Sequence, residues 1–123
     1  MIPVLLGIFL ASQAQAADLV IPKTQFVDGM KVGLPESLCT DQGYFRKCFN
    51  ASKADCEKEV RAAAASCSAT LEKDMPAQFH QPADGKVWGE KLGNCTGGKY
   101  EADLGKNRLQ SADCNDAAKW KTP

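Results

Sequence analysis

The chain has 123 residues, which suits a single domain with a core of its own. Fifteen basic residues balance fifteen acidic ones, which excludes the basic footprint of a nucleic-acid binder and the basic amphipathic helix of a membrane-surface protein. Six cysteines with only one histidine and no C-x-x-C point to disulfides and away from a metal centre.

The first sixteen residues differ from the rest. Ile2 to Leu10 is an almost wholly apolar run that leads into Ala14-Gln15-Ala16, a small-x-small cleavage pattern. The run falls short of the roughly 20 apolar residues that cross a bilayer. It reads as a signal peptide, residues 1–16, cut between Ala16 and Ala17, although no Lys or Arg precedes it. No later stretch is apolar enough to span a membrane. The mature part, residues 17–123, is therefore expected to be one domain, secreted or periplasmic, where disulfides persist.

Residues 17–35 place Pro22, Gly29, Gly33 and Pro35 among short apolar groups. Phe26-Val27-Asp28-Gly29-Met30-Lys31-Val32 puts Asp-Gly between two of them, a hairpin signal. An extended N-terminal arm with one small hairpin is expected. Thr40 or Asp41 then caps a short helix reaching Phe49, with Tyr44 and Cys48 on one face and Phe45 and Phe49 on the next. Asn50-Ala51 connects it to a long helix. Ser52 and Asp55 resemble a capping box at its start, and Met75-Pro76 stops it. Cys56, Val60, Ala63, Cys67 and Leu71 form its apolar stripe, and the run Ala62 to Ala65 suits close approach of another helix.

Residues 76–85 read as a loop because of Pro76, Pro82 and Gly85. Asp84 opens a helix with Trp88, Leu92 and Cys95 on its inner face, which Gly93 and Thr96-Gly97-Gly98 stop. Tyr100 and Leu104 suggest one more short helix. Asn115 or Asp116 caps a last turn carrying Trp120. The fold class is mainly α: a small disulfide-stapled helical domain built on an antiparallel αα-hairpin.

Cys56 and Cys67 share a helix face but lie about 16 Å apart along the axis, so they cannot bond each other. Folding the short helix back on the long one about residue 52 sets Cys48 opposite Cys56 and Cys39 opposite Cys67. Cys95 and Cys114 then remain for each other.

No catalytic motif or cofactor motif is present: there is no G-x-S-x-G and no phosphate loop. His80, on a loop, has no positioned partner in the sequence. Glu90 and Glu101, near the tryptophans, would be the first carboxylates to try as an acid–base pair on a sugar. Phe79, His80, Tyr100 and Trp120 form the candidate binding surface, since aromatics dominate contact hot spots. Asn50-Ala51-Ser52 and Asn94-Cys95-Thr96 match the glycosylation pattern by chance. These readings favour an exported protein without catalysis that binds a protein or other envelope macromolecule, as a periplasmic inhibitor, immunity-type or accessory protein does. The alternative is a small secreted hydrolase or toxin using His80 and nearby carboxylates.

Overall fold

The Ser52 hydroxyl accepts the backbone N–H of Asp55 at 3.1 Å and opens helix α3, Lys53–Leu71. Asp55 in that first turn also complements the positive end of the helix dipole. In the computed structural model, which describes residues 19–120, α3 packs against both α1 (Lys23–Leu38) and α4 (Ala83–Leu104). A short helix α2, Tyr44–Lys47, lies between α1 and α3. Strands β1 (Leu19–Pro22) and β2 (Gln78–Gln81) pair antiparallel, from Leu19 opposite Gln81 to Pro22 opposite Gln78. Two 3-10 turns, Gly105–Asn107 and Ala117–Trp120, carry the chain to its described end. The mainly α class holds, and no described helix is long and apolar enough to cross a membrane. The proposed signal segment, residues 1–16, lies outside the described residues.

The expected stripe on α3 is the buried one: Cys56, Val60, Ala63, Ala64 and Cys67 face inward. Ala62 and Ala65 face solvent, so two of the four alanines serve helix–helix contact. The expected N-terminal hairpin does not form. Asp28-Gly29 lies inside α1, and the extended arm shrinks to the four residues of β1. Phe26, Met30, Leu34 and Leu38 recur every four residues and turn one face of α1 to the core. Their burial outweighs the cost of about 1 kcal/mol for each of Gly29 and Gly33 in a helix. Pro35 is tolerated near the end, where Cys39 N–H still closes on the Pro35 carbonyl at 3.1 Å.

An antiparallel αα-hairpin is present, but its arms are α1 and α3. At one end Lys23 Nζ donates to the Glu72 carbonyl at 3.2 Å, and at the other Cys39 is bonded to Cys56. Both pairs centre on the same point of the chain, between residues 47 and 48. The bend is the whole stretch from Cys39 to Ser52, with α2 inside it. This overturns the expected pairings Cys48–Cys56, Cys39–Cys67 and Cys95–Cys114. The bonds are Cys39–Cys56, Cys48–Cys114 and Cys67–Cys95, with Cα separations of 5.8, 5.6 and 5.9 Å. The physical reason is the length of α2. Four residues cannot serve as a hairpin arm, so Cys39 at the end of α1 meets the start of α3. Cys67 then faces α4, and Cys48 is left for Cys114. The chain-entropy model gives about 3, 3.5 and 4.5 kcal/mol for the three loops in order of length, together comparable with the stability of a typical domain.

Helix α4 also runs on where a stop is expected. Leu92, Thr96 and Tyr100 are four residues apart and buried, and Cys95 is tied to α3. That burial carries the helix through Gly97-Gly98 to Leu104. The expected loop at residues 76–85 contains β2, because Phe79 drives its ring into the core against Phe26, centroids 4.4 Å apart. Gly97 must be small: a Cβ there would stand 3.2 Å from the Phe45 ring. At Gly93 a Cβ would meet nothing within 4 Å.

Gly93→Ala is therefore expected to stabilise by about 1 kcal/mol and raise the melting temperature by roughly 4–8 °C, whereas Gly97→Ala gives no gain. Thermal circular dichroism of the two variants decides; equal shifts would contradict the packing described for Gly97.

Candidate functional site at the C-terminal face

Beyond α4 the chain turns back over α2. Leu109 N–H donates to the Cys48 carbonyl at 2.7 Å, and the Cys48–Cys114 bond fixes the segment five residues later. Arg108 is the polar hub. Its Nε donates to Tyr44 Oη at 2.7 Å, its Nη1 to Asn115 Oδ1 at 2.9 Å, and its Nη2 to the Cys114 carbonyl. Trp120 Nε1 donates to the Asp113 carbonyl at 2.7 Å, and the Asp116 carboxylate accepts from Ala118 N–H, capping the last turn as expected. Between Gly105 and Trp120 only Cys114 is buried. A covalent bond and charge-assisted hydrogen bonds hold this segment in place of a core.

The segment lies on an aromatic shell. Tyr44 stands 5.6 Å from Trp120 and 5.5 Å from Phe49, and Phe49 stands 5.0 Å from Tyr100, the last two pairs edge to face. The Tyr100 hydroxyl donates to the Phe45 carbonyl at 2.9 Å. Trp120 is half-buried and lines two open clefts. One, about 290 Å³, is formed with Tyr44, Glu101, Arg108, Asn115 and Ala117. The other, about 470 Å³, includes Gln42, Lys47, Leu109 and Lys119.

Burial pushes the Tyr44 hydroxyl above the ordinary tyrosine value, its hydrogen bond with Glu101 adds to this, and Arg108 opposes it. Tyr44 is thus a neutral hydroxyl between a guanidinium and a carboxylate. Burial also raises Tyr100, helped by the charges of Glu59 and Asp55.

The structure separates the four residues of the expected binding surface. Phe79 is 0% exposed and Tyr100 1%, so both are core side chains and neither can meet a partner. Phe79 occupies the inward face of β2, and Tyr100 continues the buried row of α4. His80 points the other way on β2 and is exposed, its backbone N–H held by Asp84 Oδ2 at 2.7 Å; it lines neither cleft. Trp120 alone of the four sits at the clefts. Glu101 lines the smaller one, but Glu90 is eleven residues away on the same helix, about 16 Å along its axis. Paired glycosidase carboxylates stand about 5–9.5 Å apart, so these two cannot work as such a pair. As site residues, Tyr44, Arg108 and Asn115 are not marked out by the sequence. Arg108 meets a tyrosine 64 residues earlier, and no spacing rule reaches that far. Among the described residues no group of three or more His, Cys, Asp or Glu side chains could hold a metal ion.

A family model described as T2SS substrate NttA matches residues 20–108. The chain belongs to the NttA family. The family is described as one of type II secretion system (T2SS) substrates, which points to secretion and accords with a small protein whose six cysteines are all bonded. The matched residues run from β1 through α4 to Arg108, so the NttA match includes Tyr44, Glu101 and Arg108. Cys114, Asn115 and Trp120 lie beyond it. No curated protein and no solved structure matches the chain.

Two outcomes test this geometry. In a Trp88→Phe background Trp120 is the sole indole, since the chain has two tryptophans. Adding Cys48→Ser with Cys114→Ser should shift its emission to the red while far-UV circular dichroism keeps its helical signal; unchanged emission would mean the disulfide does not position Trp120. Both tyrosines of the chain keep their protons longer folded than unfolded, so their contribution to stability is complete below pH 10.0 and lost as pH rises through their folded values. Tyrosinate absorbance should accordingly build only above pH 10.0, together with a falling melting temperature.

Proposed function

We propose that this secreted protein acts by binding another macromolecule outside the inner membrane, in an inhibitory or accessory role, and that the binding face is the C-terminal one around Trp120. One observation carries the reading. A segment with almost no core is fastened by Cys48–Cys114 and Arg108 so that a half-exposed tryptophan stands at two clefts. Fixing an aromatic in place before contact lowers the ordering cost of association, which is how rigid anchors gain affinity. The surrounding charge is mixed, with Lys47, Arg108 and Lys119 facing Glu101 and Asp113, which suits a polar rim around an aromatic centre. The reading includes removal of residues 1–16; an intact mass matching residues 17–123 less six hydrogens supports that cut, and the mass of the full chain refutes it.

A hydrolase built on His80 has less support, because the nearby Asp84 carboxylate holds the His80 backbone. The binding reading is tested with the oxidised chain from Ala17 as bait against envelope and extracellular fractions. Native protein and His80→Ala should retain the same partner, and Trp120→Ala should lose most of it. Identical capture by all three baits would remove Trp120 from the interface and the reading with it.

A further inference from the structure

We propose that the cleft formed by Tyr44, Glu101, Arg108, Asn115 and Trp120 takes a neutral saccharide ring. This deepens the binding reading above and rests on it. The argument starts from which atoms remain free. Trp120 has spent its only donor on the Asp113 carbonyl, and its ring meets Tyr44 at 5.6 Å and Lys119 Nζ at 5.7 Å, so what it offers to a ligand is the part of the ring left open at the clefts. A sugar ring presents a patch of C–H groups on its face, and an aromatic ring is the side chain that packs on such a patch.

The rim of a sugar is hydroxyls, each both donor and acceptor, and it needs both kinds of partner. Arg108 has five N–H donors, of which three are used internally, leaving two. Asn115 has its carbonyl oxygen occupied by Arg108, which turns the NH2 end of the amide free. Glu101 is exposed at the cleft and supplies acceptors. Donors and acceptors therefore surround one aromatic, and Tyr44, Arg108 and Asn115 are held together by hydrogen bonds before any ligand arrives.

Charge and size narrow the class. One guanidinium and one carboxylate line this cleft, so it selects neither an anion nor a cation. Its volume of about 290 Å³ sits at the lower end of small-ligand sites, enough for a ring and not for an extended peptide. The larger cleft of about 470 Å³ shares Trp120 and Cys114 with it, which gives the neighbouring units of an oligosaccharide somewhere to lie. The two carboxylates expected to cleave a sugar are too far apart on α4 to act together, so the assignment here is to binding.

The test is an array of neutral oligosaccharides probed with the oxidised protein, followed by calorimetric titration of the best binder into the protein and its variants. Saturable binding is expected. Trp120→Ala should weaken it at least tenfold and Glu101→Gln severalfold, while His80→Ala leaves it unchanged, with all variants melting like the parent. A blank array, or binding indifferent to Trp120 and Glu101, overturns the saccharide assignment. If the array is blank but the pull-down still yields a Trp120-dependent partner that protease destroys, the saccharide fails and the binding reading stands; if neither appears, both fail.

Discussion

Helix α3 carries a cystine near each end, at Cys56 and Cys67, on one face and about 16 Å apart along its axis. One reaches back to α1 and the other forward to α4. The packing of the three long helices is organised around that arrangement. It fixes the register of the α1–α3 hairpin and sets α4 alongside. Between the two bonds Val60 and Ala64 form a floor with little bulk, packed in one cluster with Leu92 and Tyr100. The helices can approach closely because the side chains between them are small, and the sulfur bridges remove the freedom that so few buried groups could not overcome alone.

The third cystine works differently. Cys48–Cys114 joins no pair of helices. It ties an irregular segment onto α2, with Arg108 as a second fastening. The body and the C-terminal face are thus stabilised by different means: buried stripes and short covalent loops in one, a single long loop and charge-assisted hydrogen bonds in the other. The extent of the family match follows the same division, since it covers the body and ends at Arg108.

What was legible in the sequence had local causes. The Ser52 cap, the α3 stripe, the helical class and the capped turn at Trp120 all follow from residues within a few positions of one another, and the bonded state of the cysteines follows from their number alone. What was not legible had distant causes. Gly29, Gly33 and Pro35 disguise α1 because the compensation for them lies in α3 and β2, which bury Phe26, Val27 and Leu34. Gly97 and Gly98 disguise the second half of α4 for the same reason, and Gly97 is there to admit the Phe45 ring. Spacing could forbid Cys56–Cys67, but it could not choose among the remaining partners once the length of α2 was misjudged. At the site, an aromatic residue signals burial and contact equally well. Phe79 and Tyr100 went to the core, Trp120 to the clefts, and the Arg108–Tyr44 bond that separates these fates spans most of the domain.

Cys48 is 0% exposed, and its partner enters 66 residues later. A chain delivered N-terminus first into an oxidising compartment can close both body cystines while Cys114 is still to come. Until then it holds one odd sulfhydryl packed among aromatic rings. An incomplete product therefore differs chemically from a finished one by a single reactive group. The arrival of Cys114 is what silences that group, so the oxidation state of one sulfur reports whether the chain has emerged as far as its C-terminal face.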